Sequence, residues 1–276
     1  MAATPAPTTA TRVLDRPGGR IAYDVTGEGP LIVCVPGMGE LRSAYRFTAP
    51  ALVEAGFKVA TMDLRGHGGS DATFDRYDDV AAGEDILALI DQLGGPAVLV
   101  GTSMGAGAVV WATAERPKSV MGLALIGPFV RDTPMNPLLK LAFRAALSGP
   151  WASRAWTAYL PKLYPGRRPA DFADHQSAIA ASLRRPGHAK AFRATSRTSH
   201  APAEARLPGI TAPALVVMGQ RDPDFPDPEA EARLVAQRMD AELVLVPDAG
   251  HYPQAEFPEI VTPALVNFAR RVTTGA

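Results

Sequence analysis

Four stretches of this chain, LIVCV, AVLV, LALI and ALVV, are apolar at every position. A strand with one face in water alternates apolar and polar residues, so an unbroken apolar run needs cover on both faces. Helix-length segments separate these runs. A β-α-β-α-β alternation of this kind folds as a mostly parallel sheet with helices on both faces. TRVLD and GRIAYDV, joined around Pro17-Gly18-Gly19, read as an antiparallel hairpin that opens the sheet. FKVATMDL and AELVLVP supply further strands, and helices are expected over 41–55, 77–93, 104–115, 228–239 and 258–272.

The stretch 131–207 breaks this alternation. NPLLKLAFRAAL, ASRAWTAYLPKLY and DFADHQSAIAASLRR are helix-like, with Pro150, Pro161, Pro165-Gly166 and Pro186-Gly187 between them. The expected organisation is an α/β core over 11–130 and 208–276, an all-helical lid over 131–207, and a disordered lead-in over 1–10. The 28 basic and 28 acidic residues cancel, which gives no reason to expect a nucleic-acid or membrane partner. No apolar run reaches the roughly eighteen residues of a membrane span, and the N-terminal segment lacks an apolar signal core. The single cysteine, Cys34, lies inside LIVCV and reads as a buried, inert thiol. A cytoplasmic setting is the expectation.

GTSMG, residues 101–105, has the pattern G-x-S-x-G between an expected strand and an expected helix. Gly101 and Gly105 remove bulk on both sides of Ser103, as a tight turn requires. The turn lifts the serine hydroxyl out of the sheet edge, and the helix N-terminus places partial positive charge where an oxyanion would form. A serine hydroxyl needs a base to become a nucleophile. Of the five histidines, His175, His188 and His200 lie among the arginines of the insertion and read as solvated, and His67 reads as a residue of the loop DLRGHGGS. His251 follows strand AELVLVP in PDAGHYP, at the sheet end where Ser103 also sits, so it is the expected base. The imidazole needs an acid to fix its tautomer and stabilise its cation. GQRDPDFPD offers Asp222, preferred because Asp-Pro favours a turn that projects it, with Asp224 as the alternative.

Together PGMG, DLRGHGGS, GTSMG and the pair GQRDP and GHYPQAEFP make the chain resemble the α/β-hydrolase fold superfamily: serine hydrolases with a helical lid. The resemblance covers nearly everything after residue 11. It implies a catalytic triad of Ser103, Asp222 and His251, with an oxyanion hole made by the backbone N–H groups of Met38 and Met104. Where the family often has His-Gly before that first amide, this chain has Pro36-Gly37. The resemblance further implies that Asp63 and Arg65 brace the turn after the fourth strand, and that Glu256 and Pro258 mark the entry to the last helix.

A serine at position 103 excludes the relatives that attack with aspartate, the haloalkane dehalogenases and epoxide hydrolases. The expected reaction is hydrolysis of a carboxylic ester or lactone through an acyl-enzyme. C–C bond hydrolases of diketone-type products and cofactor-free haloperoxidase or perhydrolase relatives use the same triad, and a non-catalytic receptor on this fold is a further alternative. No cofactor is expected. No metal is expected either, since no HExxH or Cys/His cluster occurs. The expected partner is a small molecule. Between Thr133 and Ala203 stand eleven basic residues (Lys140, Arg144, Arg154, Lys162, Arg167, Arg168, Arg184, Arg185, Lys190, Arg193, Arg197) against Asp171 and Asp174, a surplus of nine. Solvated helix faces explain it, or else one or two arginines hold a substrate carboxylate. Leu138, Phe143, Trp151, Trp156 and Tyr159 could line an apolar acyl pocket or pack the lid on the core.

Overall fold

The computed structural model describes residues 10–132 and 137–274. Eight strands form one sheet: β1 (Arg12–Arg16), β2 (Gly19–Thr26), β3 (Leu31–Val35), β4 (Lys58–Met62), β5 (Ala97–Thr102), β6 (Val120–Ile126), β7 (Ala214–Gly219) and β8 (Glu242–Val246). Their spatial order is β1-β2-β4-β3-β5-β6-β7-β8. β2 pairs antiparallel with β1 and β4, and every other pairing is parallel. The helices are α1 (Thr48–Glu54), α2 (Asp79–Leu93), α3 (Met104–Glu115), α4 (Pro137–Ser148), α5 (Ala152–Tyr159), α6 (Phe172–Leu183), α7 (His188–Thr195), α8 (Ala201–Glu204), α9 (Pro228–Met239), α10 (Pro253–Glu256) and α11 (Pro258–Thr274). Helices α4 to α8 all lie between β6 and β7, with no strand among the described residues there. Apart from Ala10, the lead-in over 1–10 lies outside the described residues, as do 133–136. No helix of the described residues is long and apolar enough to cross a membrane.

The apolar runs divide their side chains between two layers. Leu31, Val33 and Val35 of β3 join the core beneath α2, α3 and α9, while Ile32 and Cys34 join the core beneath α1 and α11. A one-residue register slip would exchange the two sets, so burial on both faces fixes the register. Helix α3 is buried at nine of its twelve residues, five of them Gly or Ala, and these small residues let it lie close to the sheet. The expected helix over 41–55 is instead a 3₁₀ turn, Arg42–Tyr45, followed by α1. Pro50 explains the break: without an N–H it fits the first turn of α1 but not the interior of a longer helix. The expected helix over 77–93 starts at Asp79, because the Asp78 side chain caps it by accepting the Ala81 N–H at 2.8 Å.

The segment PGMGE after β3 is held from two directions. The Gly39 N–H donates to His67 Nε2 at 2.9 Å, so that nitrogen is unprotonated and Nδ1 carries the hydrogen, donated to the Arg65 carbonyl at 2.9 Å. Burial depresses the His67 imidazole's pKa, which favours this neutral form. His67 is thus a buried strut rather than a plain loop residue. On the other side, Trp156 Nε1 of α5 donates to the Gly39 carbonyl at 3.1 Å. Asp63, fully buried, accepts the backbone N–H groups of Arg42 and Gly69 at 2.8 Å each, and Arg65 grips Asp85 at 2.6 and 2.8 Å.

Two consequences are measurable. Replacing His67 with Ala leaves the buried Gly39 N–H without its acceptor and should cost about 1–3 kcal/mol, read as a lower urea midpoint at unchanged slope. A Cβ on Gly105 would sit 2.4 Å from the Val35 carbonyl oxygen and 2.6 Å from that of Pro36, both backbone atoms. Gly105→Ala should therefore lower stability by about 1–3 kcal/mol or more, whereas Gly209→Ala, with nothing within 4 Å, should be near neutral.

Candidate active site

Ser103 ends β5 and opens α3 with φ 56° and ψ −126°, a region an L-residue adopts only at a cost of about 1–3 kcal/mol. Its neighbours hold it there. The Ser103 N–H donates to the Ile126 carbonyl at the end of β6 (2.9 Å), and its own carbonyl accepts from Ala106 (2.9 Å) and Phe129 (3.2 Å). A Cβ on Gly101 would lie 2.5 Å from the Gly105 carbonyl oxygen, so the turn closes only with glycine there. Gly37, at the end of β3, abuts the serine directly: a Cβ there would reach the Ser103 Cβ at 2.6 Å. Met104 follows the serine directly in the chain, and Met38 follows Gly37, the residue that abuts it.

His251 lies in the loop after β8, 1% exposed, and its Nδ1 hydrogen-bonds Asp222 Oδ2 at 2.7 Å. Asp222, in the loop after β7, is also buried, and its Oδ1 accepts the Asp224 N–H at 3.0 Å. Asp224 Oδ2 is more distant from Nδ1, at 3.8 Å, and its Oδ1 accepts the Tyr159 hydroxyl at 2.6 Å. Between the two adjacent acids, Asp222 is the one bonded to the imidazole. The β6 exit joins this pair to the serine: Gly127 lies against His251, following the Ile126 carbonyl that receives Ser103, and the Phe129 ring lies 5.8 Å from the imidazole. Ser103 and His251 make no direct hydrogen bond. Such bonds are often long in an unliganded site and tighten around substrate.

Burial pulls the His251 imidazolium down, but Asp222, its hydrogen bond, Asp224 and Glu40 more than offset this and lift the group to about 9. Asp224 is raised, by burial first and by Asp222, against the opposing pull of His251 and Tyr159. The ligand atoms of Asp222, Asp224 and His251 lie within 4.8 Å of one another, close enough for a cation. Here Asp222 and His251 are committed to each other, and Asp224 to Tyr159.

The segment 131–207 touches this site at several points. The His251 N–H donates to the Leu163 carbonyl at 2.9 Å. Glu256, fully buried, accepts the Gly250 N–H at 2.6 Å and the Gly166 N–H at 3.0 Å, and burial lifts its carboxyl to about 7. It braces the histidine loop, a role beyond the entry to α11, which Pro258 does begin. The insertion's histidines correct the expectation of solvated residues. His175 is buried against Glu40 (2.9 Å), His188 is buried, and His200 bonds the fully buried Asp79 at 2.7 Å. One oxygen of each of those two carboxylates has no partner.

Of the eleven basic residues of the segment 131–207, the side chains of Lys140 and Arg144 lie outside the described residues; of the other nine, eight are exposed and Arg193 is half-buried. Arg167 pairs with Glu259, and Arg168 and Arg185 reach the Pro161 and Gly68 carbonyls. Trp151 and Leu138 are exposed at 54% and 77%, the Phe143 side chain is outside the described residues, and Trp156 and Tyr159 are engaged with Gly39 and Asp224. A cleft of about 400 Å³ opens between residues 75–80 and the α7–α8 region rather than at Ser103. A much smaller cavity, about 10 Å³, shares Tyr77 and Asp78 with it and reaches Met104. Ser103 itself is 9% exposed. Trp156 and Tyr159, expected to line an apolar pocket or pack the insertion on the core, instead hydrogen-bond Gly39 and Asp224, and Glu40 and the strut role of His67 were not legible in the sequence. Nothing local marks a tryptophan or tyrosine as the partner of a loop more than sixty residues away.

This arrangement has counterparts. Residues 32–264 match the model of the Alpha/beta hydrolase family. The chain is 29% identical over 262 residues to the 2-(acetamidomethylene)succinate hydrolase of Mesorhizobium japonicum, covering 91% of this chain and 92% of that protein. Among solved structures, an N-acyl homoserine lactone degrading enzyme superposes with TM-score 0.78 at 26% identity, covering 93% of this chain and all of the other. The enol-lactonase of Burkholderia xenovorans superposes with TM-score 0.74 at 26% identity, covering 91% and 96%. With an eight-stranded, mostly parallel sheet between helical layers and a family match over most of its length, the chain belongs to the Alpha/beta hydrolase family.

Proposed function

We propose that this protein is a serine hydrolase that cleaves a carboxylic ester or lactone through an acyl-enzyme at Ser103. The observation that carries the reading is the buried Asp222–His251 pair at 2.7 Å, packed through the β6 exit against a serine at φ 56°. In this reading His251 Nε2 takes the Ser103 proton as Oγ bonds to the substrate carbonyl carbon. Asp222 holds the hydrogen on Nδ1 and stabilises the imidazolium. The tetrahedral oxyanion is received by the N–H groups of Met38 and Met104, with the N-terminus of α3 behind the second. Collapse breaks the bond to the alkoxy group, which leaves with the proton from His251. Water then attacks the acyl-enzyme, with His251 again as base, and frees the acid and Ser103.

Two similar solved structures are described as acting on lactones, which supports an ester or lactone over a diketone. The acidic groups around His251 (Asp222, Asp224 and Glu40) and the exposure of the lid cations favour a substrate that is neutral near the scissile bond. The partner we propose is thus a small molecule with an apolar acyl group.

Ser103→Ala should lower hydrolysis of a p-nitrophenyl ester or a lactone by about 10⁴-fold or more while the protein stays folded. A fluorophosphonate should label Ser103 in the wild type; labelling at another residue would sink the assignment. Asp222→Asn should lose about 10⁴-fold in kcat, because an amide favours the wrong imidazole tautomer, and a near-normal rate would transfer the role to Asp224. The base works only when neutral, so kcat/KM should rise with pH through a limb above the ordinary 6.5 and toward about 9. A limb at or below 6.5 would contradict the charged environment assigned to His251.

A further inference from the structure

We propose that Tyr159, from α5 of the insertion, is a positioning residue for this reaction: by holding the Asp224 carboxylate beside His251 it makes the docking of α5 a condition for a fully basic imidazole. The inference rests on the acyl-enzyme reading and adds to it a link between the lid and the strength of the base.

The geometry is a chain of three contacts. A carboxylate can only accept, so the Tyr159 hydroxyl donates to Asp224 Oδ1, at 2.6 Å. The other oxygen of Asp224 lies 3.8 Å from His251 Nδ1, too far for a hydrogen bond but close enough to act as a charge. The Asp224 N–H, in turn, is fixed on Asp222 Oδ1 at 3.0 Å. Asp224 is therefore a second carboxylate on the imidazole, secured at one end by the primary acid and at the other by the insertion. Burial and the Asp222 charge both push Asp224 toward its neutral form, and the tyrosine is the donor that opposes them alongside His251. The ionisable groups that face His251 are Asp222 and Asp224 from the β7 loop, Glu40 from the β3 loop, and the neighbouring Tyr252, whose ring is 4.9 Å away. Of these, Asp224 is the one that accepts a side-chain hydrogen bond from α5 among the described residues.

The sign follows directly. Without the tyrosine hydroxyl, Asp224 takes up a proton more readily, and a neutral Asp224 no longer favours the imidazolium. The pKa of His251 then falls, and the limb on which kcat/KM rises with pH moves to lower pH. A tyrosine that served only as packing would change stability and leave that limb in place. Tyr159→Phe keeps the ring contacts with Trp156 and Lys162 and removes the hydroxyl alone.

The test is the pH dependence of kcat/KM for a p-nitrophenyl ester in the wild type, Tyr159→Phe, Asp224→Asn and the double variant. Both single variants should move the limb down by about half a unit or more. The double variant should move it no further than Asp224→Asn alone, since both act through one carboxylate. A limb unmoved in Tyr159→Phe overturns the proposal, as do single shifts that add in the double variant. If Asp224→Asn fails to fold, the Tyr159→Phe profile decides by itself. Ser103→Ala separates the two levels: turnover retained in that variant removes the acyl-enzyme reading and this inference together. Turnover lost there, with an unmoved Tyr159→Phe limb, removes only this inference.

Discussion

The turn at Ser103 sets the terms for the rest of the molecule. A non-glycine residue at φ 56° is strained, and it persists only where the surroundings hold it. The Ile126 carbonyl holds its N–H, Phe129 and Ala106 hold its carbonyl, and α3 has to lie close enough that Gly105 touches the backbone at the end of β3. That approach requires a helix of small residues, and α3 supplies one. The centre of the sheet is thus built around a strained residue at its carboxyl edge, where open α/β sheets place their ligands. The stability of the two packed layers offsets the strain at one point.

The site is shared between the core and the segment that interrupts it. Gly39 donates to His67 of the core and accepts from Trp156 of α5. The His251 loop is held by the Leu163 carbonyl and by Glu256, which also takes the Gly166 N–H. The contacts from Trp156, Leu163 and Gly166 each join the insertion to a loop of the core far away in sequence, so α5 and the turn after it help to hold the loops around Ser103. The helices of the insertion pack among themselves and on Tyr252 and Ala255, next to the histidine.

The electrostatics are unusual for so buried a cluster. Asp222, Asp224 and Glu40 all bear on one imidazole, against the burial that disfavours its charged form. Hydrogen bonds keep the arrangement workable: Asp222 on His251, Asp224 on Tyr159, and Glu40 on His175. The second oxygen of Glu40 is buried without a hydrogen-bond partner among the described residues. Of the nine basic side chains described in the segment 131–207, eight are exposed.

The local pattern of the chain determined the sheet and the identity of the residues that end its strands. Unbroken apolar runs need cover on both faces, G-x-S-x-G needs a strand before it and a helix after it, and both requirements are read within a dozen residues. Asp222, His251 and Ser103 were legible for the same reason, since each stands in a short loop at a strand's carboxyl end. Tertiary structure decided what surrounds them. Trp156 lies 117 positions from Gly39, Tyr159 lies 65 from Asp224, and His175 lies 135 from Glu40. Such pairs leave no periodicity in the sequence, because the energy that selects them comes from packing one helix against a distant loop. The same holds for His67, whose tautomer is set by the Gly39 N–H brought against it. Local sequence encodes backbone conformation and burial; which donor meets which acceptor across the fold is fixed only when the layers close.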